Sequence, residues 1–181
     1  MSDPTAPGRA RNPDLLGVYC NDHHAAATGG IELVSRMIGV HRGSHWEQPL
    51  AELLDQLREE QASLRAQMAA IGVPVRQYKA WGVWLAEKAS RVKLNGRLVS
   101  RSPLSDLVEF EFLASAVRSK RSGFETLRIA AERDDRLDQA ELDRLIDQAN
   151  AQHEWLTAAR QEVAQTVFGG RAEAGDRSQD G

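Results

Sequence analysis

The sequence predicts an all-α protein, an up-down bundle of four long helices with a long helical crossover between the second and the third. Three observations carry that prediction. Apolar residues recur at spacings of three and four over long stretches, the period of a helix with one buried face. Helix-start and helix-stop residues fall between those stretches. No stretch shows the strict alternation of a half-buried strand. A chain of 181 residues with 41% hydrophobic content is long enough to bury one sizeable core.

Asn12 followed by Pro13 is a favourable cap and first position for helix one. Its stripe is Leu16, Tyr19, His23, Ala26, Gly30, Leu33 and Met37, ending near Gly39. In the loop "HRGSHW", Ser44 with Glu47 three residues on reads as a capping box for helix two. That helix carries Leu50, Leu53, Leu54, Leu57, Leu64, Met68 and Ile71, and Gly72 with Pro74 stops it. Segment 74–97 reads as a shorter crossover helix with Tyr78, Trp81, Trp84, Leu85, Lys88 and Val92 on one broad side, closed by the turn Asn95-Gly96. Ser102-Pro103 repeats the cap-then-proline signal for helix three, whose stripe is Leu107, Phe110, Leu113, Val117, Phe124, Leu127 and Ala131. Asp134 and Asp135 are expected to break it and to cap helix four, with Leu142, Leu145, Ala149, Leu156, Ala159 and Val163 facing inward.

Residues 1–11 and 169–181 are rich in Gly, Asp and Arg and almost devoid of apolar side chains, so both are expected to be disordered tails around a single domain at 12–168. Short links suit antiparallel neighbours, whereas the long connection after helix two leaves helices two and three parallel. Two antiparallel hairpins joined by one crossover form the ferritin-like arrangement. Beyond topology, "YCNDHHAAATGGIEL", "KLNGRLVSRSPLSDLVEFE" and the closing amphipathic helix are similar to an actinobacterial group of ferritin-like four-helix-bundle proteins. The resemblance implies the fold over residues 13–168 and brings no activity with it. A homodimer is expected, since the first helix of such bundles often lies at a subunit interface.

Carboxylate-bridged di-iron bundles place a Glu on each of two helices and a Glu-x-x-His on each of the others, because residues three apart share a helix face. No Glu-x-x-His occurs here, and His153-Glu154 are adjacent, so their side chains diverge. His23, Glu60, Lys120 and His153 nevertheless fall at similar depth near the middle of their helices, which predicts a buried polar layer. An ammonium at a ligand position repels a divalent cation and satisfies a facing carboxylate by itself. The first reading is therefore a metal-free network with no cofactor. The alternative is an iron or manganese site built from His23, Glu60 and His153 with Asp22, Glu59 or Glu109. His24 points away from the stripe. The glycines of "AAATGG" cost helix stability, and close packing by a ring such as Trp81, Trp84 or Trp155, or by a partner subunit, would account for them; packing within the chain is preferred to a ligand pocket lined by small residues.

Other chemistry finds little support. The single cysteine, Cys20, excludes an internal disulfide framework and multi-cysteine metal sites. No phosphate-binding loop or nucleophile elbow occurs. The net charge of −3 singles out neither nucleic acid nor membrane. A basic cluster at Arg76, Lys79, Lys88, Arg91, Lys93 and Arg97 could face an anionic partner, but packing of the crossover onto the bundle is preferred, with its basic residues solvated or paired to Glu52, Asp55 and Glu59. No apolar run approaches a membrane span and the N-terminal residues lack a signal-peptide core, so a cytoplasmic location is expected. The function expected is a non-enzymatic structural or protein-interaction role with an unknown protein partner. An atypical metal-dependent oxidase is the alternative.

Overall fold

The computed structural model describes residues 13–76 and 102–169, and within them it contains four α-helices and no strand: α1 (Pro13–Val40), α2 (Glu47–Ala70), α3 (Pro103–Ala131) and α4 (Gln139–Phe168). Asn12, most of the expected crossover and both tails except Gly169 lie outside the described residues. The helices pair as two hairpins, α1 with α2 and α3 with α4. The hairpins meet more lightly, α1 against α3 and α2 against α4. Every adjacent pair is antiparallel. Thr28 of α1 bonds Gln61 of α2, Arg36 of α1 reaches Glu109 of α3, Ser63 of α2 reaches Glu141 of α4, and Arg128 of α3 reaches Asp143 of α4. Helices α2 and α3 therefore run the same way, so residue 76 leaves one end of the bundle and residue 102 enters at the other.

The helix ends show how local sequence sets this frame. Ser102 accepts a hydrogen bond from the Leu104 amide at 3.3 Å, with Pro103 in the first turn. At the start of α2 the Ser44 hydroxyl accepts from Trp46 N at 3.2 Å, while the Glu47 carboxylate accepts from Gly43 N at 2.6 Å. The N-cap is Trp46, without a side-chain cap bond, so the capping box expected from Ser44 and Glu47 does not form; both bonds fall one residue further back, in the turn that leads into the helix. Gly72 ends α2 at φ +76°, a left-handed conformation that favours glycine. Residues 73–76 are not helical, in contrast to the expected helix start at Pro74.

The cap of α4 differs from expectation. Asp138, not Asp134 or Asp135, is the N-cap, accepting from Glu141 N at 3.0 Å. Asp134 is instead buried and gripped by both arms of the Arg136 guanidinium at 2.8–2.9 Å. A carboxylate held in that fork is not available to a helix terminus. Gln67 of α2 completes the corner, accepting from Asp138 N at 2.9 Å.

Two apolar clusters fill the bundle. One joins Val34, Met37, Leu50, Phe110, Leu113 and Leu156, with Trp46 and Trp155 packed on it. The other joins Cys20, Met68, Phe124, Leu127, Leu142 and Leu145. Between them in chain order lie Glu60 of α2 and Lys120 of α3, while Gln152 of α4 falls inside the first, between Ala149 and Leu156. The outgoing chain after α2 is fixed by Asn21, which is 1% exposed. Its amide group donates to the carbonyls of Gly17 at 2.8 Å and Pro74 at 3.1 Å, and its oxygen accepts from Arg76 N at 2.6 Å.

Two predictions follow from these contacts. Replacing Asn21 by Ala removes both long-range bonds that hold residues 74–76 to α1, so urea unfolding should show a loss of about 1–3 kcal/mol. The Arg144 guanidinium, with help from the Ser63 hydroxyl, holds the Glu141 carboxyl down at about 2, against 4.5 for the free group. The stability this contributes is fully present above pH 4.5 and is lost as pH falls toward 2. Acid unfolding of Glu141→Gln should accordingly be flatter than wild type across that window.

Candidate functional site

Glu60 is 2% exposed and sits between Leu57 and Leu64 on the buried side of α2. A carboxylate there requires partners that replace water. One oxygen, Oε2, accepts from Lys120 Nζ of α3. The other, Oε1, accepts from Gln152 Nε2 of α4 at 2.8 Å. Gln152 closes the ring by accepting from Lys120 Nζ at 2.5 Å through Oε1, and its Nε2 also donates to Gln56 at 2.8 Å. Three helices are joined by this unit. Burial pushes the Lys120 ammonium below its ordinary value, and the Glu60 charge and hydrogen bond oppose that shift.

Of the four side chains expected in a polar layer, Glu60 and Lys120 are bonded to each other. His23 lies beside them across a cavity but makes no hydrogen bond to either. Its ring stacks on Tyr19 at a centroid distance of 4.6 Å and rests against the bare backbone of Gly123 on α3. A Cβ at Gly123 would lie 2.7 Å from the ring, so this glycine is what lets the imidazole in. Burial pulls the His23 pKa below its ordinary value, with Asp22 opposing. The imidazole is neutral at pH 7. His153 is half-buried and not part of the layer; the preceding residue, Gln152, takes the place expected for it, because one step along a helix rotates the side chain by about 100°.

The ligands of the alternative metal set are not brought together. Both Glu60 oxygens are engaged, Glu109 pairs with Arg36 at 3.0 Å, and Asp22 and Glu59 are exposed. Among the described residues no three His, Cys, Asp or Glu side chains converge as metal ligands would. His24 is half-buried rather than on the open surface, its Nε2 has no hydrogen-bond partner, and burial together with Arg65 lowers its pKa. Burial raises the Cys20 thiol to about 11, which keeps it protonated and removes it as a nucleophile.

The cavity holds about 360 Å³ between α1, α2 and α3. Its walls include His23, Ala26, Ala27 and Gly30 of α1, Leu57, Glu60 and Leu64 of α2, and Phe112, Ala116, Lys120 and Phe124 of α3. Exposed Ala26, Ser115 and Ser119 at its edge place the opening at the light α1–α3 seam. Half of "AAATGG" thus lines this space: among the described residues a Cβ at Gly30 would meet no atom within 4 Å. Trp155 does not pack there; it joins Trp46 and Phe110 at centroid distances of 6.4 Å. Trp81 and Trp84 lie outside the described residues, as do Lys79, Lys88, Arg91, Lys93 and Arg97 of the basic cluster. Arg76 is exposed. On α2, Asp55 pairs with Arg58 and Glu52 accepts from Gln48, so these acids have partners within their own helix.

Residue-level reading missed Gln152, Gln56 and Gly123. Neutral amides and a lone glycine carry no charge signal, although Gln152 lies on the buried stripe between Ala149 and Leu156. No protein-family profile matches this chain, and no curated protein and no solved structure matches it either.

Replacing Lys120 by Met strands a buried carboxylate and should cost about 3–5 kcal/mol in denaturant unfolding. Adding Glu60→Leu should restore most of that loss, since an apolar layer needs no counter-charge. Gly123→Ala is expected to be more favourable in a His23→Ala background than in wild type, by roughly 0.5–3 kcal/mol of coupling in a double-mutant cycle.

Proposed function

We propose that this protein is a ferritin-like bundle of non-enzymatic character, with a structural or protein-interaction role, in which a Lys–Glu–Gln unit occupies the level where di-metal bundles carry their ligands. The observation that carries the reading is the Lys120 ammonium seated on Glu60 and Gln152, two side chains that would otherwise offer oxygens to a cation. The antiparallel hairpins, with α2 and α3 running the same way, support the ferritin-like arrangement. Its resemblance to the actinobacterial ferritin-like group is part of the same proposal.

We place the protein in the cytoplasm. Among the described residues no helix is long and apolar enough to cross a membrane, and the buried cysteine is free. A homodimer is the assembly we favour. Leu15 and Val18 on α1 and Ile129 on α3, 42–66% exposed, stand at the same end of the bundle and offer apolar surface for a second copy.

The test is elemental analysis of untagged protein expressed with added iron, manganese and zinc, run beside sedimentation equilibrium. The reading expects no stoichiometric metal, an unfolding temperature indifferent to chelator, and twice the 20.0 kDa chain mass. One or two tightly held metal atoms per chain, lost on His23→Ala, would revive the oxidase-type alternative built on His23, Glu60 and His153.

A further inference from the structure

We infer that the cavity between α1, α2 and α3 is a binding site for a small, uncharged, largely apolar molecule that carries one hydrogen-bonding group, such as an aromatic alcohol. Its volume of about 360 Å³ falls in the lower part of the range for ligand pockets, about 300–1,000 Å³. The wall formed by α1 is built from the smallest side chains, Ala26, Ala27 and Gly30. A glycine inside a helix costs about 1 kcal/mol relative to alanine. Among the described residues no neighbour of Gly30 requires that cost, because a Cβ there would meet none of them within 4 Å. What the glycine preserves is the empty volume.

The charge of the lining selects the class of ligand. Glu60 and Lys120 enter the wall as a closed, mutually neutralised pair. Of the remaining polar side chains in the lining, Tyr19, Gln61, Ser115, Ser119 and His23, the imidazole of His23 is the one set beside the Glu60–Lys120 pair and the bare backbone of Gly123. Its ring lines the cavity, its nitrogens make no hydrogen bond within the protein, and burial keeps it uncharged. A neutral imidazole has one donor and one acceptor to offer, which suits a hydroxyl. An ionised ligand would enter an apolar space with no free counter-charge, at a large desolvation cost.

The probe is N-phenylnaphthylamine, an uncharged fluorophore that brightens in apolar sites, titrated into the full-length protein. The expected result is saturable binding of one probe per chain. Gly30→Leu should raise the unfolding temperature and weaken the probe by about tenfold or more, since its side chain grows into open volume. Ala116→Leu, from the opposite wall, tests the same space should the first variant fold poorly. Competition then reads the ligand class: naphthol should displace the probe several-fold better than naphthoate, and His23→Phe should narrow the advantage of naphthol over naphthalene. Absence of saturable binding to wild type overturns the site. So does binding that neither filling variant weakens, and a preference for naphthoate overturns the assignment to uncharged ligands.

Discussion

The carboxylate of Glu60, buried in mid-bundle, sets the terms for this fold. Removing Glu60 from water costs several kcal/mol unless its oxygens are repaid in hydrogen bonds and opposite charge. Its partners come from α3 and α4, so the requirement is met only when three helices are in register. Apolar stripes alone tolerate sliding by a turn, because one leucine packs much like another. The Lys120–Glu60–Gln152 unit does not, since a shift of one turn separates the ammonium from both acceptors. The apolar clusters on either side supply most of the driving force, and the polar unit supplies alignment.

Helix α1 stands outside that unit, and much of the functional interest follows. It is held by the α1–α2 hairpin, by Asn21 gripping residues 74–76, and by the His23 ring set against Gly123. Its contact with α3 is light, and its small residues do not fill the gap. A larger side chain at Gly30 would grow into that gap and stabilise the helix at once. A sequence shaped only for stability would not leave that gain unused.

The helices were legible because their signals are redundant. The stripe on α2 repeats through Leu50, Leu53, Leu54, Leu57, Leu64 and Met68, all buried, and Ser102-Pro103 starts α3 as read. Glu60 and Lys120 were legible as well, being charges inside apolar stripes. Gln152 was not. A glutamine between apolar residues looks the same whether it reaches solvent or closes a buried network, and only the crossing partner decides. The expected α4 cap at Asp134 and Asp135 failed for a related reason, Asp138 being the cap. Several aspartates stand within five residues, and the winner was set by Arg136 and Gln67, contacts that helix spacing does not encode. The cavity was half legible in "AAATGG". Small residues mark close approach or empty space, and the sequence holds no information on which until the facing helix is in place.

The same carboxylate also divides two kinds of chemistry. For Glu60 to ligate a metal, Lys120 must withdraw, and the Gln152 oxygen it leaves behind is a weak replacement for the second carboxylate such a site needs. Held by the lysine, Glu60 becomes part of a wall with no net charge, beside an imidazole that burial keeps neutral. Low dielectric strengthens that pairing, and an apolar occupant of the cavity would lower the dielectric further by excluding water.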